Sequence, residues 1–208
     1  MTRILIVDDH EVVRDGVKRI FEEQPGTTAF GDASTASEAL CLVSEHDWDI
    51  VVLDLSLGGR SGLELLKELK QVRPRIPVLI LSVHSEEQYA RRAFKAGAAG
   101  YITKDSPRAE LSKAIDKVIK GGKYVSPVVA EKLVTFLEKG PDAAPHDALS
   151  DREFQVMGLI ASGKTVGEIA EALTLSNKTI STYRARILEK MGMKTNAQLT
   201  RYGIQNKL

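Results

Sequence analysis

The sequence predicts an α/β domain built on five parallel strands, followed by a separate all-helical domain. Short β-branched and leucine-rich runs alternate five times with helix-length amphipathic segments across residues 1–120. From Leu149 onward no strand candidate remains, and helix signals follow one another. The charge divides at the same place. Residues 1–120 hold 17 Lys+Arg against 19 Asp+Glu, residues 121–147 hold 3 against 4, and residues 148–208 hold 9 against 5, so a net charge of +1 conceals a basic C-terminal part. A length of 208 residues exceeds the usual domain size of roughly 100–150 and leaves room for two modest cores.

Strands are expected near 3–7, 28–32, 49–54, 77–82 and 99–103, and helices near 11–23, 35–45, 61–72, 86–96 and 107–120. The breaks fall at Gln24-Pro-Gly26, Gly58-Gly59, Arg73-Pro74, Ile76-Pro77, Gly97 and Gly121-Gly122. Runs such as Ile50-Val-Val-Leu53 are apolar at every position, the pattern of parallel strands covered on both faces. Right-handed crossovers then give a doubly wound, flavodoxin-like sheet of order 2-1-3-4-5, with the first and third strands side by side. This domain spans residues 1–120. Residues 121–147 read as a linker, with one amphipathic helix over Pro127–Leu137 and a flexible tether at Gly140–His146.

The second domain spans 148–208. Ser150-Asp-Arg-Glu153 matches a capping box, and further helices are expected at about 166–173, 177–191 and 195–205. Gly158-Leu-Ile-Ala-Ser-Gly163-Lys164-Thr165 satisfies the phosphate-binding-loop pattern, but that loop needs a preceding strand. Phe154, Met157 and Ile160 have helical spacing instead, so Gly163 is read as a helix C-cap and ATP binding is rejected.

A single cysteine excludes a disulfide within the chain, and helical spacing would turn Cys41 towards a core. The apolar run before Asp8 is too short for a signal peptide, and no run reaches membrane-spanning length, so a cytoplasmic protein without membrane contact is expected.

Four of the strands stop at polar residues: Asp8-Asp9, Asp54, Ser82 and Lys104. Ligands of such sheets bind just beyond the carboxyl ends of the strands. Three carboxylates brought together there repel one another unless a cation offsets them. Mg²⁺ suits this set, with Asp9 and Asp54 as ligands, the backbone carbonyl of Ser56 close by and Asp8 acting through water. Ionised Asp54 could then attack a phosphoryl group, with Lys104 balancing charge and the Ser82 hydroxyl bonding a phosphoryl oxygen.

In order and spacing, Ile-Val-Asp8-Asp9-His10, Leu-Asp54-Leu, Leu-Ser82-Val and Tyr101-Ile-Thr-Lys104 resemble the receiver domain of two-component response regulators. The resemblance implies that a sensor histidine kinase phosphorylates Asp54, that the acidic pair binds Mg²⁺, and that Ser82 and Tyr101 form a switch pair drawn inward on phosphorylation. Asp105 stands after Lys104 where many receivers carry proline, so no cis peptide is expected.

In the second domain, two helices joined by a turn at Thr174-Leu-Ser176 could place the second in a DNA major groove. Ile180, Ile187, Leu188 and Met191 would face inward, leaving Lys178, Thr179, Ser181, Thr182, Arg184, Ala185, Arg186 and Lys190 as candidate contacts with double-stranded DNA. Leu149-Ser-Asp-Arg-Glu153, Gly163-Lys-Thr165, Glu168-Ile-Ala170, Lys178-Thr-Ile180 and Lys190-Met resemble the LuxR-type helix-turn-helix. With the receiver this resembles the NarL/FixJ class. Ser181-Thr-Tyr-Arg184 replaces the Lys-x-His common there and is similar to the subgroup containing GacA, EvgA and BvgA. The resemblance implies a transcriptional regulator rather than an enzyme, and a homodimer when phosphorylated or bound to DNA, with the last helix as its contact. Short side chains at Ser181, Thr182 and Ala185 suggest apolar, hydroxyl or water-mediated base readout, and Lys178, Arg184, Arg186 and Lys190 suit phosphates. Two other readings use parts of the same set: a regulator controlled by protein partners without phosphate, and an aspartate-nucleophile phosphohydrolase. The second would need an acid two residues after Asp54, where Ser56 stands.

Overall fold

The computed structural model describes residues 2–22, 28–57, 60–83, 86–126, 130 and 144–206, which fall into two units, Met1–Thr135 and Phe136–Leu208. The first unit is a parallel sheet with β1 (Thr2–Val7), β2 (Thr28–Ala33), β3 (Ile50–Asp54), β4 (Val78–Ser82), β5 (Gly100–Thr103) and β6 (Tyr124–Val125). Between them run α1 (Glu11–Glu22), α2 (Ala36–Glu45), α3 (Gly62–Val72), α4 (Glu86–Lys95) and α5 (Arg108–Ile119). Strand order is β2-β1-β3-β4-β5-β6, every pair parallel. Every residue of β3 and β4 is buried, because helices cover both faces, and this is why their sequences lack polar alternation.

The sheet therefore has six strands where five were expected. Tyr124–Val125 adds to the edge of β5, with Tyr124 N–H donating to the Ala99 carbonyl at 3.0 Å. Two residues carry no periodicity, so nothing in the sequence marks them as a strand. They also bring the start of the expected linker into the first unit. The helix expected at 127–137 lies outside the described residues, apart from Ala130.

The spacing around Cys41 misleads. Helix α2 buries Ala36, Ala39 and Val43, and Cys41 lies on its exposed side. No cis peptide occurs among the described residues, so Lys104-Asp105 is trans.

The second unit contains only helices: a 3₁₀ turn at Pro145–Ala148, then α6 (Asp151–Ala161), α7 (Val166–Ala172), α8 (Asn177–Lys190) and α9 (Asn196–Asn206). Ser150 caps α6 as expected: its hydroxyl accepts from Glu153 N–H, and the Glu153 carboxylate accepts from Ser150 N–H at 2.8 Å. The core is Phe154, Val156, Met157, Ile169, Ile180, Ile187 and Leu199, each at 1% exposure or less. The apparent phosphate loop lies in α6 and its end. Gly163, at φ +87°, donates to the Ile160 carbonyl and Lys164 N–H to that of Leu159, which is a Schellman cap with no strand before it.

Residues 144–146 of the expected tether fall within the described part of the second unit. His146 is 1% exposed, packs against Phe154 and Tyr202, and its Nδ1 lies 2.8 Å from the Tyr202 hydroxyl.

Candidate functional site

Parallel pairing assembles the strand-end residues. β1 lies beside β3 with Val7 opposite Leu53, so Asp8 and Asp54 emerge next to each other. β4 pairs with β5 at Ser82 and Thr103, and the backbone N–H of Lys104 donates to the Ser82 carbonyl at 2.8 Å. Behind Asp54, Gly62 opens α3. A Cβ there would meet the Asp54 carbonyl oxygen at 2.4 Å, so only glycine lets this helix start against the strand end.

The Lys104 ammonium lies 2.8 Å from Asp54 Oδ2 and 2.7 Å from Asp8 Oδ2. The one ammonium thus lies between two buried carboxylates. Ser56 N–H donates to Asp54 Oδ1 at 3.1 Å. One ligand atom each from Asp8, Asp9, His10 and Asp54 lie within 4.8 Å of one another. Hard carboxylate oxygens clustered in this way, more numerous than the one ammonium between them, fit a divalent cation such as Mg²⁺.

Burial at 1% exposure pushes the Asp54 carboxyl above the usual carboxylate range; Lys104 pulls against it, and the Asp8 charge adds to it. Burial by itself would lower the Lys104 ammonium, but Asp54 and Asp8 outweigh it and hold its pKa above the ordinary lysine value. Ser82 and Tyr101 are both fully buried.

The second candidate surface is built on α7 and α8. The turn between them holds Thr174 at φ +52°, the only non-glycine residue with positive φ among those described. A β-branched residue in that region is strained by about 1–2 kcal/mol. Replacing Thr174 by Asn, which tolerates this region, is expected to raise the thermal midpoint of the second unit, as read by calorimetry. An unchanged or lower midpoint would count against strain at this turn.

Ser176 caps α8 by accepting from Thr179 N–H at 3.1 Å, and its hydroxyl also bonds that of Thr179. Ile180, Ile187 and Met191 are buried, while Leu188 is only half-buried. Lys178, Ser181, Thr182, Ala185 and Arg186 are exposed along one side of the helix. The Thr182 hydroxyl donates to the Lys178 carbonyl. Two of the expected outward cations are engaged within the unit. Arg184 is half-buried, with Nε donating to Asn196 Oδ1 at 2.5 Å, and the Lys190 ammonium lies 2.6 Å from Glu153 Oε2. Sequence spacing showed which side of α8 these residues occupy, but not the partners that α6 and α9 supply.

Burial would raise the Glu153 carboxyl, but Lys190 and the Ser150 donors prevail and hold it below its ordinary value of 4.5. A carboxyl held low in the folded state stabilises fully above its unfolded pKa, and that contribution disappears as pH falls through the folded value. The urea midpoint of the second unit is therefore expected to drop below about pH 4.5. The change should be on the order of 1 kcal/mol, since Lys190 is partly exposed, and Glu153→Gln should flatten it.

Residues 4–116 match the family described as the response regulator receiver domain, and residues 147–203 match the bacterial regulatory proteins of the luxR family. The chain is 34% identical to the response regulator UvrY of Escherichia coli (strain K12) over 209 residues, covering 100% of this chain and 96% of that protein. It is 36% identical to the response regulator GacA of Pseudomonas aeruginosa over 208 residues, covering 99% and 97%. Among solved structures, a two-component response regulator of the LuxR family from Aurantimonas sp. is similar at 40% identity and a TM-score of 0.61, covering 65% of this chain and 97% of that one.

Proposed function

Because this chain belongs to the response regulators that join a receiver domain to a LuxR-family DNA-binding domain, we propose that phosphoryl transfer to Asp54 controls its hold on DNA. The observation that carries this reading is the pocket in which buried Asp54 shares the Lys104 ammonium with Asp8. Asp54 attacks the phosphorus of a phosphohistidine on a sensor histidine kinase. The N–P bond breaks, the imidazole leaves with the electron pair, and an acyl phosphate forms on Asp54. Lys104 stays within reach of the new oxyanions, and the Ser82 hydroxyl donates to one of them. A Mg²⁺ ion held by Asp8, Asp9, Asp54 and the Ser56 carbonyl would offset the charge on the carboxylates and the phosphoryl group. Slow hydrolysis of the acyl phosphate returns the chain to its resting state, so the chemistry ends on its own side chain rather than on an outside substrate.

Residues 1–120 act as the receiver, 121–147 as the linker and 148–208 as the DNA-binding domain. Ser82 and Tyr101, on neighbouring strands, transmit the change in charge at Asp54. Phosphorylated chains pair as a homodimer, whose two-fold symmetry matches paired half-sites on double-stranded DNA. No helix among the described residues is long and apolar enough to cross a membrane, which suits action on DNA in the cytoplasm.

On α8, Ser181, Thr182 and Ala185 face base edges, while Lys178 and Arg186 reach phosphates. Thr179 shapes the helix start, and Arg184 and Lys190 contribute from positions already tied to Asn196 and Glu153. Lys178→Ala and Arg186→Ala are each expected to weaken binding across DNA sequences and to reduce the slope of log K against log salt by about 1. Fluorescence anisotropy over a salt series reads this, and unchanged slopes in both variants would remove α8 from the DNA.

A further inference from the structure

We infer that His10 is a fourth side-chain ligand of the acidic pocket, and that its imidazole nitrogen admits divalent transition metals such as Ni²⁺ and Mn²⁺ alongside Mg²⁺. The inference rests on reading Asp8, Asp9 and Asp54 as a cation site. The backbone N–H of His10 donates to Asp8 Oδ1 at 2.8 Å, which fixes the residue at the rim. Its ring turns towards the acids, with Nδ1 lying 2.8 Å from Asp9 Oδ1 and 3.2 Å from Asp8 Oδ1. That nitrogen belongs to the same group of ligand atoms, all within 4.8 Å of one another, as the three carboxylates. Donors bound about 2.0–2.3 Å from one ion lie at most roughly 4.6 Å apart. A small inward movement therefore brings all four into one coordination sphere. The ring is 66% exposed, so it can move and an ion can reach it from solvent.

Donor chemistry then sets the preference. Carboxylate and carbonyl oxygens suit Mg²⁺, whereas imidazole favours the later first-row ions, with Ni²⁺ well above Mn²⁺ in intrinsic affinity. A neutral imidazole adds a donor to the pocket without adding to its negative charge. Mg²⁺ gains little from that nitrogen, while Ni²⁺ gains much.

The full-length chain is titrated calorimetrically with MgCl₂ and with NiCl₂, as wild type, His10→Ala and Asp9→Ala, and the Mn²⁺-loaded forms are examined by pulsed EPR for nitrogen coupling. His10→Ala is expected to lower Ni²⁺ affinity on the order of tenfold or more, to lower Mg²⁺ affinity by no more than about twofold and to abolish the nitrogen coupling. Equal Ni²⁺ affinity with the coupling retained overturns the inference. So does tighter binding of both ions by His10→Ala, which would make His10 a counter-charge that competes with the metal. If Asp9→Ala changes the binding of neither ion, the cation reading itself fails, a result distinct from failure of the His10 assignment alone.

Discussion

Asp54→Asn is expected to reduce labelling by acetyl phosphate to background while making the resting protein more stable. The loss follows from chemistry: an amide lacks the ionised oxygen that attacks phosphorus. The gain follows from electrostatics. Asp8 and Asp54 share the Lys104 ammonium, and burial pushes the Asp54 carboxyl upward despite that partner. An acid whose folded pKa lies above its unfolded value favours the folded state below both values, and this advantage is lost as pH rises through the raised one. At neutral pH the ionised Asp54 therefore destabilises the first unit, and a neutral amide relieves the strain. Relief of about 1 kcal/mol would raise the melting temperature of a domain this size by roughly 4 °C. Millimolar Mg²⁺ should raise the melting temperature of the wild type by binding only the folded form, and should do so much less for Asp54→Asn. Label persisting on the variant would remove Asp54 as acceptor. A lower melting temperature would show that the Lys104 contact outweighs the burial of charge.

Phe154→Ala is expected to cost the second unit about 3–5 kcal/mol, the usual range for emptying a buried aromatic site. Phe154 is 1% exposed and lies between the α6 core and His146. A helical unit of some sixty residues has a small core and little stability to spare, so this loss should leave much of it unfolded at 37 °C. Urea denaturation and DNA binding should fail together, while phosphorylation of Asp54 persists. Ser181→Ala is the matching control: the residue is exposed on α8, so stability should move by no more than about 0.5 kcal/mol. A Phe154→Ala protein that melts like the wild type would show that the ring is not part of the core.

The strands and helices of the first unit could be read directly because their residues agree with themselves locally. Apolar runs such as Val78–Leu81 suit only strands covered on both sides, and Ser150 and Glu153 cap each other within four residues. The misses share a cause. Tyr124–Val125 becomes a strand only because the exposed edge of β5 accepts it. His146 stands in a Gly/Pro-rich stretch that reads as tether, and only Tyr202, 56 residues on, and Phe154 make it a core residue. His10 directly follows the acidic pair in the sequence, and the ring contacts that single it out are side-chain geometry that no spacing encodes.

By itself the sequence determined the two domain types and the order in which Asp8, Asp9, Asp54, Ser82 and Lys104 leave the strands. Periodicity, capping and turn chemistry act over a few residues, and parallel βαβ handedness leaves little freedom in how such strands assemble. Tertiary structure decided which charges are shared and which are open. Lys104 bridges Asp8 and Asp54, Lys190 belongs to Glu153, and Arg184 leans on Asn196, while Lys178 and Arg186 remain exposed. These pairings join residues from 12 to 96 positions apart, so only the packing of whole elements could set them.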